Sequence, residues 1–254
     1  ALRPAWLEIN LARLRDNVAL IRQHAARSSA RPPLLLGVVK ADGFGHGAVE
    51  VSRAILSAGA SHLAVAAVGE ALELRRAGID APILVFGQRA PDELADCVRH
   101  ALTVCVNDAE IPAALSRLAS GQGRTVKIHL KVNTGMNRYG VAPAEAVRLA
   151  LVLQALPRIE LEGFFSHFVM SDAADPSFSR EQLQVFRGIV AALAQRGVRP
   201  PLRHLCNSGG FLNFPEAHFE LVRLGLLPLG WLPSPHVPPV AGLAPVMTLK
   251  ARAA

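Results

Sequence analysis

The sequence predicts an α/β protein built as a (β/α)8 TIM barrel, and three observations carry that expectation. Eight short β-type runs alternate with helical runs over most of the chain. Most of those runs are continuously apolar, the pattern of strands covered on both faces. The length, 254 residues, is close to the ~250 typical of one such barrel. An open doubly wound sheet is the competing architecture. It would want a G-x-G-x-x-G turn after its first strand, and Gly43-Phe44-Gly45-His46-Gly47 lacks that spacing.

The elements follow in order. A strand over 3–10 and a helix over 11–26 precede the barrel. Barrel strands are expected at 34–39, 63–65, 83–86, 102–105, 126–132, 159–165, 202–206 and 219–222. Amphipathic helices are expected at 47–58, 69–77, 91–99, 108–119, 143–153 and 179–196. Pro91 and Pro143 suit first helical positions, and Gly59, Gly78, Gly121 and Gly197 suit helix stops. The connection over 208–218 is less regular. Pro228, Pro233, Pro235, Pro238, Pro239 and Pro245 then crowd eighteen residues and mark an exit linker. A strand-like pattern resumes over 246–252, and a strand there needs a neighbour. The expected division is therefore a barrel over 11–230, with 1–10 and 231–254 as strand and linker segments of a truncated C-terminal β-domain.

Composition narrows the function classes. Apolar residues make up 51% and charged residues 19%, enough for a large core and against disorder. No apolar run approaches the roughly 20 residues of a membrane span, and no signal-peptide pattern opens the chain. Cys97, Cys105 and Cys206 show no metal-cage or disulfide spacing, so no metal is expected and a reducing, cytoplasmic setting fits. The net charge is +7, but the basic residues are spread out and aromatics are only 5%, which argues against nucleic-acid binding.

The chain holds only four lysines, Lys40, Lys127, Lys131 and Lys250. In a barrel, catalytic groups sit at the C-terminal strand ends. Lys40 ends the first barrel strand directly after Val38-Val39, where partial desolvation favours the neutral amine that attacks carbonyls. A lysine snorkelling at the barrel mouth would look the same. Asn207-Ser208-Gly209-Gly210 and Arg223-Leu224-Gly225-Leu226 follow strands seven and eight, the usual phosphate site of such barrels. There Ser208 could offer a hydroxyl, and Gly225 and Leu226 backbone N–H groups. A Ser208–His204 nucleophile pair is weak, having no orienting acid in evidence. A carbonyl-attacking lysine with a phosphate cradle suits pyridoxal phosphate. It equally suits a class I aldolase.

Longer motifs add a resemblance. Val38-Val39-Lys40-Ala41-Asp42-Gly43-Phe44-Gly45-His46-Gly47 resembles the cofactor-attachment signature of bacterial alanine racemases. The likeness continues through Leu130-Lys131-Val132-Asn133-Thr134-Gly135-Met136-Asn137-Arg138-Tyr139-Gly140, Ser166-His167-Phe168, Asn207-Ser208 and Arg223-Leu224-Gly225-Leu226. Trp6-Leu7-Glu8-Ile9-Asn10 resembles the family's opening strand, and the residues from Pro245 to Arg252 its entry to a second domain.

That resemblance implies a pyridoxal 5′-phosphate-dependent isomerase that interconverts L- and D-alanine, supplying D-alanine for peptidoglycan. Lys40 would hold the cofactor and then act as base on one face of the substrate. Arg223 would face the pyridine nitrogen, with His167 beside the ring. Asn207, Ser208, Gly225 and Leu226 would complete the phosphate side. Arg138 would bind the substrate carboxylate through its bidentate fork. Lys131 matches a lysine that is often carbamylated. Phe44, Leu229 and Asn133 depart from the tyrosine, tyrosine and aspartate usual at their places.

The family's second base is a tyrosine of the C-terminal domain, supplied by the partner subunit of a homodimer. Tyr139 is the only tyrosine here, and it lies inside the carboxylate motif. The chain thus reads as the barrel portion of a racemase, with little activity on its own. A serine or broad-specificity racemase shares the lysine signature. A pyridoxal-phosphate-binding homeostasis protein shares the barrel.

Overall fold

The computed structural model describes residues 4–28 and 31–252. Residue 3 of the expected first strand and residues 253–254 of the closing segment lie outside the described residues. The chain enters through β1 (Ala5–Ile9) and α1 (Leu11–Ser28). Eight parallel strands follow: β2 (Leu34–Val38), β3 (His62–Val65), β4 (Ile83–Val85), β5 (Thr103–Val106), β6 (Val126–Lys131), β7 (Ile159–Phe165), β8 (Leu202–His204) and β9 (Leu221–Leu224). They pair in the order β8-β7-β6-β5-β4-β3-β2-β9, so the sheet curls round on itself as the TIM-barrel expectation requires. The seam between β8 and β9 is bridged rather than laddered. Glu220 N donates to Arg203 O at 3.2 Å and Arg223 N to Cys206 O at 3.0 Å, while Arg203 Nε donates to the Glu220 carboxylate at 2.8 Å.

A turn labelled α2 (Lys40–Gly45) and α3 (Ala48–Ser57) join β2 to β3. The later crossovers are α4 (Val68–Arg76), α5 (Leu94–Arg99) after a 3₁₀ turn at Pro91–Glu93, α6 (Glu110–Gly121), α7 (Pro143–Gln154) and α8 (Ser177–Gln195). The small barrel interior holds Leu36, Ala64, Leu84, Cys105, Phe165 and Leu221. A much larger apolar layer lies between sheet and helices. There α1 packs beside α3 and the 3₁₀ turn Leu227–Leu229, filling the flank that a helix after β9 would take.

Four expectations change in detail. The last barrel strand begins at Leu221 rather than 219, because Phe219 turns with a left-handed φ of 49°. Gly121 is the last residue of α6, and the chain reverses at Gly123 with φ 64°. The irregular 208–218 connection contains a short helix, α9 (Ser208–Asn213), capped by Asn207 Oδ1 accepting from Gly210 N at 2.9 Å. Six residues with two glycines are too few to show a helical period.

The fourth change concerns the chain ends. The segment 246–252 forms β10 (Met247–Ala251), which pairs antiparallel with β1, Ala5 opposite Ala251 and Ile9 opposite Met247. Its neighbour is thus the opening strand of the same chain. The proline-rich segment is docked, not loose. Buried Asn17 donates to Pro228 O at 3.1 Å and Ala244 O at 2.9 Å, and accepts from Ala244 N at 3.1 Å. Trp6, Leu7 and Leu249 remain exposed on this two-stranded ribbon.

Candidate active site

A cavity of about 700 Å³ opens at the C-terminal ends of the barrel strands. Lys40, Lys131, Arg138 and Arg223 line it against one carboxylate, Asp172, an excess of cations that suits an anion. The other two lysines point elsewhere. Lys127 is paired with Glu162 at 2.6 Å and Lys250 with Glu8 at 2.7 Å.

Lys40 is presented by an unusual turn. Ala41, Asp42, Gly43 and Phe44 all take left-handed conformations, φ 52°, 52°, 62° and 54°. For a non-glycine residue this costs roughly 1–2 kcal/mol, so surrounding bonds must hold it. Ala41 N donates to Glu70 Oε1 at 2.6 Å, Ala48 N to Asp42 Oδ1 at 2.7 Å, and Gly43 N to Val39 O at 2.8 Å. The turn lays the Phe44 ring beneath the Lys40 amine, Nζ lying 5.2 Å from its centroid.

On the opposite wall, the loop after β6 presents Arg138. Asn133 Oδ1 accepts from Gly135 N at 3.1 Å and Asn137 N at 3.0 Å, so the amide does the turn-forming work of an aspartate. Thr134 Oγ1 meets Ser166 Oγ at 2.8 Å, and Gln182 Nε2 donates to Thr134 Oγ1 at 3.2 Å and His167 O at 3.1 Å. Lys131 Nζ lies 5.1 Å from the Tyr139 ring centroid. Burial, with Arg223 and Arg138 nearby, pulls its amine down to about 8. Tyr139 directs its hydroxyl at Cys105 O, 3.4 Å away, and burial pushes the phenol up.

Arg223 forms the floor. Its Nη2 donates to Ser166 O at 2.9 Å, Leu205 O at 3.1 Å and His167 Nδ1 at 3.1 Å, and its Nη1 to His204 Nδ1 at 2.9 Å. Burial is the first cause that holds His167 down at about 3, followed by the charge of Arg223. Arg223 itself is lowered by burial to about 10, still a cation at neutral pH. His204 is fully buried and engaged on both ring nitrogens. The Ser208–His204 nucleophile pair is therefore not formed.

Asn207, Ser208, Gly209, Gly225 and Leu226 form the remaining side of the cavity. A Cβ on Gly225 would meet Phe44 Cζ at 2.9 Å, and one on Gly209 would meet Asp172 Cβ at 2.9 Å. Both glycines line the cavity, and a side chain at either would collide with Phe44 or Asp172. Every cofactor- and substrate-site residue expected from the resemblance lines this one cavity, whereas His204 and Gly210 do not.

Comparison with known proteins agrees with this geometry. The family described as alanine racemase, N-terminal domain, matches residues 9–233. The chain belongs to that family. An alanine racemase of Symbiobacterium thermophilum is 42% identical over 99% of this chain, which spans 65% of that relative's length. One from Desulfovibrio desulfuricans is 41% identical, again over 99% of this chain and over 67% of its own. Among solved structures, the Clostridium difficile 630 alanine racemase in complex with cycloserine superposes with a TM-score of 0.92 at 32% identity, over 99% of this chain and 68% of that one. The alanine racemase of Streptomyces lavendulae, a D-cycloserine producer, gives 0.91 at 37% identity, over 99% and 66%.

The alanine racemase motifs do not include every residue that shapes the site. Glu70, in the first turn of α4, ties the Lys40 turn to the β3–α4 loop, accepting also from Ala66 N at 2.7 Å and Ala67 N at 3.1 Å. In the sequence it is a single glutamate early in a helix, which signals no more than a helix start. Beneath Arg223, His129 and Glu162 extend the contacts of His204 through the barrel interior. Nothing in the β6 and β7 patterns marks them.

Proposed function

We propose that this chain is the cofactor-binding barrel of a pyridoxal 5′-phosphate-dependent alanine racemase. The observation that carries the reading is the convergence of Lys40, Arg138 and Arg223 on one cationic cavity. The residues present fit the cofactor. The volume lies within the ~300–1,000 Å³ of small-molecule sites. Bare backbone at Gly209 and Gly225 suits a phosphate, and the excess of cations suits a phosphate together with a carboxylate. When bound, pyridoxal phosphate supplies a carbonyl that links to amines and a conjugated ring that accepts an electron pair.

The chain's own residues do the rest. Lys40 would hold the cofactor, and its amine, when free, would take or return the proton at the substrate α-carbon. Arg138 binds the substrate carboxylate through two parallel N–H bonds, which fixes the α-carbon relative to Lys40. Arg223 has no acceptor atom and keeps its protons, so a ring nitrogen facing it stays unprotonated. His167, held neutral by burial, lies against that guanidinium. Ser208, Asn207, Gly225 and Leu226 hold the phosphate. Lys131, with part of its amine neutral near pH 8, can add carbon dioxide through its nitrogen lone pair and release one N–H proton to solvent, and the carbamate would turn a cation beside Arg138 into an anion. The Tyr139 hydroxyl points at Cys105 O, and burial raises its phenol, which keeps it protonated, so we look for the base of the opposite face elsewhere. We place it on the C-terminal domain of a partner subunit in a homodimer, and assign 1–10 and 231–254 of this chain to the edge of its own C-terminal domain. The exposed apolar residues of the β1–β10 ribbon support this division. Cys97, Cys105 and Cys206 are buried and free, which suits a reducing, cytoplasmic setting; among the described residues no helix is long and apolar enough to cross a membrane.

Incubating the cofactor-loaded protein with L-alanine and, separately, with D-alanine in deuterated water tests the reading. Loss of the α-proton resonance is expected for the one enantiomer whose α-proton faces Lys40, and is expected to be abolished in Lys40→Ala. Cofactor binding without exchange would instead mark a carrier of the homeostasis type. Exchange of serine faster than alanine would move the substrate.

A further inference from the structure

We propose that Glu162 is a positioning residue for Arg223, acting through a one-way run of hydrogen bonds across the barrel interior by way of His129 and His204. Only its last step, from Arg223 to the cofactor ring, rests on the function proposed above.

The direction of the run follows from Arg223. A guanidinium can only donate, so His204 Nδ1, 2.9 Å from Arg223 Nη1, must accept. The proton of His204 then sits on Nε2, which faces His129 Nδ1 at 2.9 Å. That nitrogen accepts in turn, so the proton of His129 sits on Nε2, 3.1 Å from Glu162 Oε2. The other carboxylate oxygen accepts from Lys127 Nζ at 2.6 Å, near the opposite end of the barrel. One proton arrangement satisfies every contact. Burial keeps both histidines neutral. Burial alone would raise the Glu162 carboxyl, but the hydrogen bonds from His129 and Lys127 outweigh it and hold it down at about 2.

The backbone is shaped to admit this run. The β6–β7 register steps from Ile128 opposite Leu161 to His129 opposite Gly163, so Glu162 is an extra residue in a bulge. A Cβ on Gly163 would come within 2.3 Å of His129 Cγ. Bulge and glycine together bring a carboxylate to the imidazole and leave room for the ring.

The charge at the end of the run matters because an amide would reverse it. If the side-chain amide introduced by Glu162→Gln kept its oxygen on Lys127, its NH₂ would face His129 Nε2. His129 would then carry its proton on Nδ1, and so would His204, placing two donors against each other at Arg223 Nη1. The guanidinium would have to move.

The test reads the tautomers directly by long-range ¹⁵N–¹H correlation on the ¹⁵N-labelled, cofactor-free protein, with His129→Gln and His204→Gln for assignment. Both histidines are expected neutral and protonated on Nε2, and Glu162→Gln is expected to transfer protons to Nδ1. An Nδ1–H on His204 in the unsubstituted protein overturns the run. Unchanged tautomers in Glu162→Gln overturn the role of Glu162. A pyridoxal phosphate titration then follows the visible band. Affinity in Glu162→Gln is expected to fall about tenfold, the size of one lost hydrogen bond to a charged group, with a shifted band. Reversed tautomers with an unchanged band and affinity would support the run and refute the contact between Arg223 and the ring.

Discussion

The amide of Ala41 donates to Glu70 Oε1 at 2.6 Å. That bond joins the left-handed turn carrying Lys40 to the first turn of α4, and with the Asp42–Ala48 bond it offsets the strain of three non-glycine residues at positive φ. Both oxygens of Glu70 accept from backbone amides, so an amide side chain must turn a donor toward a donor.

Glu70→Gln should therefore loosen the Lys40 turn. A hydrogen bond to a charged group contributes about 1.5–3 kcal/mol, so affinity for pyridoxal phosphate should fall about tenfold or more in a fluorescence titration. An unchanged affinity with an unchanged denaturation midpoint would show that the turn holds without Glu70.

Gly163→Ala should be among the most damaging single-methyl additions to the barrel. The new Cβ meets the His129 ring at 2.3 Å, in a bulge with no slack. Overpacking of this kind costs typically about 1–3 kcal/mol, read as a lower urea midpoint. A midpoint equal to that of the parent would mean the ring can step aside.

Lys131 gives a pH signature. Its folded amine lies near 8, below the ~10.4 of an unfolded lysine. Between those values the unfolded chain binds more protons, so this residue's contribution to stability rises with pH across the window. Its full penalty is present below about pH 8. Lys131→Met should therefore stabilise the cofactor-free protein at pH 7, by up to ~3 kcal/mol, in buffer free of carbon dioxide. The gain should shrink toward pH 10.5. Equal gains at both ends of the range would assign the effect to packing.

Arg138→Lys keeps the charge and loses the planar fork. In the loaded protein the apparent affinity for alanine should fall by about tenfold or more, while cofactor affinity stays within about twofold. Parallel losses of both would point to a general role for the loop rather than carboxylate binding.

Much of this site could be read from the chain because its parts are contiguous. Lys40, Arg138, His167, Ser208 and Arg223 each sit in a local motif at a strand end, and the barrel brings strand ends together. What escaped reading depends on distant or irregular backbone. Glu162 is inward-facing only because a bulge breaks the period-two pattern of β7. The left-handed turn runs through Ala41 and Phe44 as well as Asp42, and alanine and phenylalanine do not ordinarily announce positive φ. The pairing of β1 with β10 and the docking of 228–244 on Asn17 join the two ends of the chain. No local pattern encodes them.

Lys40, alone among the four lysines, is proposed to carry the cofactor at the barrel mouth. Borohydride reduction of the pyridoxal phosphate-loaded protein, followed by peptide mapping, tests it most directly. Pyridoxyl label is expected on Lys40 and none on Lys127 or Lys250, which are tied to Glu162 and Glu8. Label on Lys131, the other lysine of the cavity, with Lys40 unmodified, would contradict it.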